Sequence, residues 1–181
     1  IERQTRWGVP YLPTASDEQA GRVYTIRVNG VSADLVPAPS PASSDEYRAK
    51  IEGGFLRVKK LSGGSAGWEV TDKTGKKYLF GTTSSTRMSD PADATRIFKW
   101  CLERVEDRDG NFMTVAYAGD QGQAYLDHID YTGNGATAPT NTVKFYLENR
   151  SDAPAMYLGN YLIKTAKRLK TIVYSSRLHL T

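Results

Sequence analysis

The chain of 181 residues has one cysteine, two histidines and no apolar run near the roughly 18 residues of a membrane span. Cys101 alone cannot close an internal disulfide, and it cannot anchor a Cys-rich zinc site. With only His128 and His179, a catalytic plan built on several imidazoles is short of parts. The charge balance is thin: Lys plus Arg minus Asp plus Glu is 24 − 20 = +4, too little to argue for a nucleic-acid partner. Neither G-x-x-x-x-G-K nor G-x-G-x-x-G occurs, so no glycine loop suited to phosphate is present. No charged, apolar and small-residue leader follows Ile1, and residues 175–181 end without a cap or polar tail. Both ends are therefore expected to be cuts in a longer chain. The expected division is an irregular segment 1–21, a β-rich module 22–175 and a tail 176–181 that continues.

What is present favours strands. Hydrophobic residues make up 39% and charged residues 24%, which excludes a disordered chain. Tyr is frequent at 11 and Gly at 16, against 3 Met, and Val, Thr and Tyr fall in short runs. Residues 22–29 alternate, with Tyr24, Ile26 and Val28 on one face and Thr25 and Arg27 on the other. Asn29-Gly30 is a strong hairpin signal, and 31–36 resumes an extended run. Pro37, Pro39 and Pro41 mark a loop or edge. A strand over 55–61 is expected to stop at Ser62-Gly63-Gly64-Ser65.

The clearest unit spans 67–81. Trp68 and Val70 share a face, Asp72-Lys73-Thr74-Gly75 makes a type I corner, and Tyr78 and Phe80 share the returning face. The same four-residue pattern recurs at Asp107-Arg108-Asp109-Gly110 and at Asp130-Tyr131-Thr132-Gly133, starting 35 and then 23 residues later. Irregular spacing argues for a meander of related hairpins, not a solenoid repeat. Strands are expected over 96–106, 112–118, 125–131 and 142–149, with Val143, Phe145 and Leu147 alternating against Lys144, Tyr146 and Glu148. Ser89-Asp90-Pro91 resembles a helix start, but the corner at Asp107 leaves room only for a short turn near 91–95 before strand resumes. The fold is expected to be all-β and mainly antiparallel: a meander of hairpins forming a curved sheet, a sandwich or part of a shell, with at most a short helical turn.

The chemical candidates are poor. Asp107, Asp109 and Asn111 begin like a calcium loop, but such a loop wants Gly sixth and Glu twelfth, where Phe112 and Ala118 stand. A plain hairpin corner accounts for them. Cys101 lacks a nucleophile elbow and is expected to be a buried, inert thiol on the face of Ile97 and Val105. His128 is expected on an outer face or satisfied by a neighbouring carboxylate. Glu103 and Glu106, at odd strand spacing, face opposite ways and cannot form a glycosidase pair. Lys164, Lys167, Arg168 and Lys170 with Tyr161 and Tyr174 suggest a single-strand nucleic-acid groove. They are better explained as a solvated face, with Leu162, Leu169, Ile172 and Val173 supplying core. No metal, cofactor, nucleic-acid partner or membrane span is expected.

The runs GWEVTDKTGKKYLFG (67–81) and IFKWCLERVEDRDGNFMTVAYAGDQGQAYLDHIDYTGN (97–134) resemble the Salmonella virulence-plasmid B protein family. That family's domain also forms the front part of the B component of insecticidal Tc toxin complexes. The residues carrying the resemblance are Trp68, Glu69, Val70, Asp72, Gly75, Tyr78, Phe80, Gly81, Trp100, Leu102, Asp107, Gly110, Asn111 and Tyr117. VKFYLENRSD (143–152) and KRLKTIVY (167–174) continue it, so it covers roughly residues 22 to 175. The Asp-x-x-Gly hairpins, Asp130 and Gly133 included, are similar to those of YD/RHS repeats, which build a closed shell.

The resemblance implies a β-rich shell that houses or presents a toxin segment. It implies partners among the other domains of one longer polypeptide and other toxin-complex components, and a secreted or bacterial-surface location after synthesis in the cytoplasm. In the virulence protein the ADP-ribosyltransferase is a separate C-terminal domain that needs an Arg, a Ser-Thr-Ser strand and Glu-x-Glu. Here TTSST (82–86) lacks that order and no two Glu stand two apart, so the activity is not carried over. The expected function is a non-enzymatic scaffold module. The alternative is a carbohydrate- or cell-surface-binding β module using Trp7, Tyr11 or Tyr157 as platforms, and a third reading is an enzyme using Cys101 or His128.

Overall fold

The computed structural model describes residues 1–5, 15–39, 45–62, 67–158 and 161–176. Trp7, Tyr11, Pro41, the expected stop at 63–65 and the tail beyond 176 lie outside them. The elements run β1 (Glu2–Arg3), α1 (Ala15–Gln19), β2 (Tyr24–Val28), β3 (Val31–Pro37), β4 (Glu46–Ala49), β5 (Arg57–Lys60), β6 (Trp68–Thr71) and β7 (Lys77–Phe80). A 3-10 turn (Ser84–Thr86) leads to β8 (Arg87–Asp90), β9 (Asp93–Trp100), β10 (Leu102–Glu106), β11 (Asn111–Asp120), β12 (Gln123–Asn134) and β13 (Asn141–Asn149). The last three strands are β14 (Ala155–Leu158), β15 (Tyr161–Lys164) and β16 (Lys167–Ser176). Fourteen strands form one sheet in the order β16-β13-β12-β11-β10-β7-β6-β5-β4-β3-β2-β1-β9-β8, while β14 and β15 make a separate hairpin. Every pairing is antiparallel, as a hairpin meander requires. The all-β expectation holds, and its curved-sheet form is the one adopted.

The curl follows from connectivity. Strands β1 to β7 are successive neighbours, β9 pairs outside β1, and β10 pairs outside β7. Only Cys101 separates β9 from β10 in the chain. One short length of chain therefore touches both flanks of a seven-stranded sheet, which must bend round until those flanks nearly meet. Backbone hydrogen bonds fix the seam: Trp100 N–H donates to Ile1 C=O at 2.8 Å and Gly81 N–H donates to Cys101 C=O at 2.9 Å.

The inward faces of these strands fill the curl. Trp68, Ile26, Leu35, Val58 and Val70 are fully buried, as their alternation with charged neighbours dictates. Trp68 stands edge-to-face with Tyr24 at 4.8 Å, Tyr47 at 5.2 Å and Trp100 at 5.9 Å between ring centres. Each such pair adds about 0.5–1.5 kcal/mol beyond its buried area. A second, smaller core sits where the β14–β15 hairpin lays Tyr161 and Ile163 against Met88 and Phe98.

Four expectations are corrected. The single strand over 96–106 is two, broken at Cys101, because the chain there passes from one flank of the sheet to the other. The strand expected over 55–61 is confined to Arg57–Lys60, since Phe55 sits at a left-handed φ of 50°. Asp130-Tyr131-Thr132-Gly133 is not a corner. Strand β12 runs through it, with an irregular register opposite β11 and Thr132 at φ 72°. The reason is cross-strand: Asp130 Oδ1 accepts from Thr142 Oγ1 at 2.5 Å, and the Phe112 ring lies where a Gly133 side chain would be. Finally, Leu162, Leu169, Ile172 and Val173 do not supply core. They are 45–53% exposed, because nothing in the described residues lies beyond β16 or over β14–β15.

Candidate functional site

The two genuine Asp-to-Gly corners spend their carboxylates on themselves. Asp72 Oδ1 accepts from Thr74 N–H at 2.8 Å, Thr74 Oγ1 at 2.6 Å and Lys76 N–H at 3.2 Å, while Oδ2 accepts from Tyr78 OH at 3.0 Å. Asn29 Nδ2 also meets Tyr78 OH, tying the Asn29-Gly30 hairpin to this corner. Desolvation pushes the Asp72 carboxyl up, but the hydrogen bonds from Thr74, Tyr78 and Lys76 win and hold it below the usual range. Asp107 behaves alike: Oδ1 accepts from Asp109 N–H at 3.0 Å and Asn111 N–H at 2.9 Å, and Oδ2 from Asn111 Nδ2 at 3.0 Å. The Asn111 side-chain bond leads the causes that depress its pKa. Gly75 and Gly110 close the corners at φ 84° and 79°, donating to the Asp C=O at 3.0 Å and 3.2 Å. Asp107 and Asn111 thus stand in a corner whose own N–H groups occupy the oxygens a calcium ion would need.

The aromatic members of the motif line the seam. Trp68, Tyr78, Phe80 and Trp100 are all buried in one core. Gly81, at φ 61°, lies under Trp100, and a Cβ there would fall 2.4 Å from its ring. Tyr117 reaches back from β11, its OH donating to Leu102 C=O at 3.0 Å, and burial pushes its phenol well up. Gly133 is covered by Phe112, and the Arg104 guanidinium lies 3.6 Å from the centre of that ring. Phe112 and Arg104 were not marked by the sequence, since nothing local says that Gly133 would accept a ring. Asp130 accepts from Thr142 Oγ1, and its Oδ2 lies 3.4 Å from His128 Nε2.

Glu103 is the extra residue of a bulge in β10, between Leu102 opposite Phe80 and Arg104 opposite Leu79. Its Oε2 accepts from Thr82 N–H at 2.7 Å, Thr83 N–H at 3.1 Å and Thr86 Oγ1 at 2.9 Å. Burial raises its carboxyl, and these bonds outweigh that and lower it. It holds the 3-10 turn in place, and Glu106 instead binds Arg104 at 2.7 Å. His128 is satisfied by a carboxylate as expected, with Nδ1 2.6 Å from Asp127 Oδ2. Lys144 Nζ donates to both Asp127 oxygens at 2.7 Å and leads the causes that lower that carboxyl. Cys101 is buried, 8% exposed, and desolvation pushes its thiol up. It is far from a nucleophile's environment. Tyr157 is 71% exposed and pairs across the hairpin with Leu162. Among the described residues no cluster of His, Cys, Asp and Glu could hold a metal, and no helix is long and apolar enough to cross a membrane.

Comparison with known proteins agrees with this architecture. The mono(ADP-ribosyl)transferase SpvB of Salmonella typhimurium is 25% identical over 193 residues, covering 96% of this chain and 32% of that protein. The SpvB of Salmonella choleraesuis matches with the same identity and coverage. The chain thus spans about a third of the curated relatives it matches. The solved N-terminal domain of effector protein SpvB from Salmonella typhimurium strain LT2 superposes with a TM-score of 0.73 at 18% identity, over 98% of this chain and 75% of that one. The TcdB2-TccC3-Cdc42 crystal structure gives 0.74 at 18% identity, over 97% of this chain and 11% of that one. The Tc holotoxin pore of Photorhabdus luminescens gives 0.73 at 17% identity, over 98% and 11%. These solved structures share the fold. The model of the family described as Salmonella virulence plasmid 65kDa B protein matches residues 16–173, and the chain belongs to that family.

Proposed function

We propose that the chain is a non-enzymatic β-wall module of a longer secreted virulence or toxin-type polypeptide, housing or presenting another segment of it. The observation that carries this reading is where the motif residues spend their chemistry. Asp72 and Asp107 bind their own corners, and Trp68, Tyr78, Phe80 and Trp100 pack the seam. The carboxylates are held by their own corners and the rings are buried in the core, so these side chains serve the wall and not a ligand. The similarity to one third of a mono(ADP-ribosyl)transferase and to parts of Tc toxin assemblies supports a module whose neighbours do the chemistry.

Two measurements test it together. The 181-residue chain, given an ADP-ribose donor and a cell extract, should transfer no label. In the longer polypeptide, Trp68→Ala should make the attached segments markedly more protease-sensitive. Label transfer by the chain, or unchanged protease sensitivity, would overturn the proposal. The surface-binding alternative keeps one observation, the exposed Tyr157–Leu162 pair. Saturable glycan binding lost in Tyr157→Ala would favour it instead.

A further inference from the structure

Two charged residues in a row stand on the outer side of β10. Tyr78 and Phe80 lie in the core, so Leu79 between them faces outward. Its partner Arg104, and Thr114 opposite Arg104, share that face. Leu102 and Val105 pack against the core. The bulge supplies the extra residue that lets both Glu103 and Arg104 turn away from it, a re-aiming that bulges commonly provide beside binding sites. The 3-10 turn packs against β11, and a cleft of about 370 Å³ lies between turn and sheet. Leu79, Thr114 and Ala116 form its floor, Thr83 and Ser85 one wall, and Glu103 and Arg104 its head. That volume falls at the small end of the range for ligand pockets, roughly 300–1,000 Å³.

The polar groups of the cleft are only half used by the fold. Glu103 Oε2 takes all three bonds from the turn, which leaves Oε1 without a protein partner among the described residues. Burial raises this carboxyl, but those bonds outweigh it, so the group is ionised at neutral pH. Arg104 gives Nε and Nη2 to Glu106, and its Nη1 has no protein partner among the described residues. The same holds for Thr114 Oγ1. We propose that this cleft binds one sugar ring of a glycan. The chemistry selects the occupant. A carboxylate oxygen accepts from neighbouring sugar hydroxyls, the guanidinium donates to a hydroxyl or ring oxygen, and the Thr and Ser hydroxyls do either. Leu79 and Ala116 take the apolar C–H edge of the ring, and the small Ala116 gives the floor its depth. A cation entering beside Glu103 would meet Arg104, and an anion beside Arg104 would meet Glu103. A neutral ligand that offers donors and acceptors together fits both. Tyr157 belongs to the separate β14–β15 hairpin, so this site is not the surface platform considered above. Nor does it depend on the wall reading, because a wall can carry a pocket on its outer side.

The test is titration calorimetry of the full-length polypeptide with the methyl glycosides of glucose, galactose, mannose and N-acetylglucosamine. At least one should bind saturably. Glu103→Gln should weaken it about tenfold or more, the loss of a charge-assisted hydrogen bond. That variant also disturbs the 3-10 turn, so two others decide. Thr114→Val removes a hydroxyl that no protein group uses and should weaken binding several-fold. Ala116→Leu fills the floor from the outer face and should abolish it. Tyr157→Ala should leave it unchanged. No saturable binding of any of the four glycosides would overturn the proposal, as would binding that ignores both Thr114→Val and Ala116→Leu. Glycerol binding as tightly as the glycosides would also overturn it, since the site would then read a simple polyol and not a sugar ring. None of these results bears on whether the module is catalytic or holds its neighbours, so failure here is distinct from failure of the wall reading.

Discussion

Replacing Gly81 with alanine attacks the point where the sheet closes on itself. Two costs add. Gly81 sits at φ 61°, a left-handed conformation that costs an L-residue roughly 1–2 kcal/mol. Its new Cβ would lie 2.4 Å from Trp100 Cδ1 and 2.8 Å from Trp100 Cβ. Trp100 cannot step aside freely, because it stands 5.9 Å from both Tyr24 and Trp68 in a packed core. Forcing one extra carbon into such packing costs about 1–3 kcal/mol. The sum is about 2–5 kcal/mol. Gly30 is the matched control: it has φ 76° but open space around its Cβ position, so Gly30→Ala carries only the roughly 1–2 kcal/mol backbone part. Urea unfolding followed by tryptophan fluorescence reads the difference. With a slope of about 2 kcal/mol per molar, Gly81→Ala should lower the midpoint by about 1–2.5 M, and Gly30→Ala by no more than about 1 M. Equal midpoints for the two variants would show that Trp100 does not lock the seam, and the account of the curl would fail.

Acid should loosen the corners. Asp72 and Asp107 are held below the usual carboxylate range in the folded chain and return to about 3.9 when it unfolds. Their contribution is thus complete above the unfolded pKa and is lost as pH falls through the folded values. The urea midpoint should stay level from neutrality to about pH 5 and drop below about pH 4, with a shallower drop in Asp107→Asn; an unchanged acid slope in that variant would contradict the corner geometry. Cys101, buried with its thiol pushed up, should resist iodoacetamide in the native chain at mildly alkaline pH and label fully in urea. Rapid native labelling would mean that the β9–β10 junction is open.

Much of the wall was legible in the chain. Alternation at Tyr24, Ile26, Trp68, Val70, Tyr78 and Phe80 assigned the inward face correctly, because a pleated strand sends successive side chains to opposite sides. The corners at Asp72 and Asp107 were legible because an Asx side chain and a glycine at positive φ are local requirements. Asp130 and Gly133 have the same letters but lie within a continuous, irregular strand. The deciding partners, Phe112 and Thr142, arrive from the two neighbouring strands.

The sequence by itself determined that the chain is β, that it turns at 72–75 and 107–110, and which face of each strand is apolar, but not that 130–133 lies within a strand. Each of those follows from residues a few places apart. Tertiary structure decided that β9 and β10 straddle the flanks of one curled sheet, with Trp100 over Gly81. It also decided that Leu169 and Ile172 lie bare at an edge. Periodicity states that a side chain is apolar and which face it shares. Whether another strand lies against that face depends on where chain distant in sequence comes to rest.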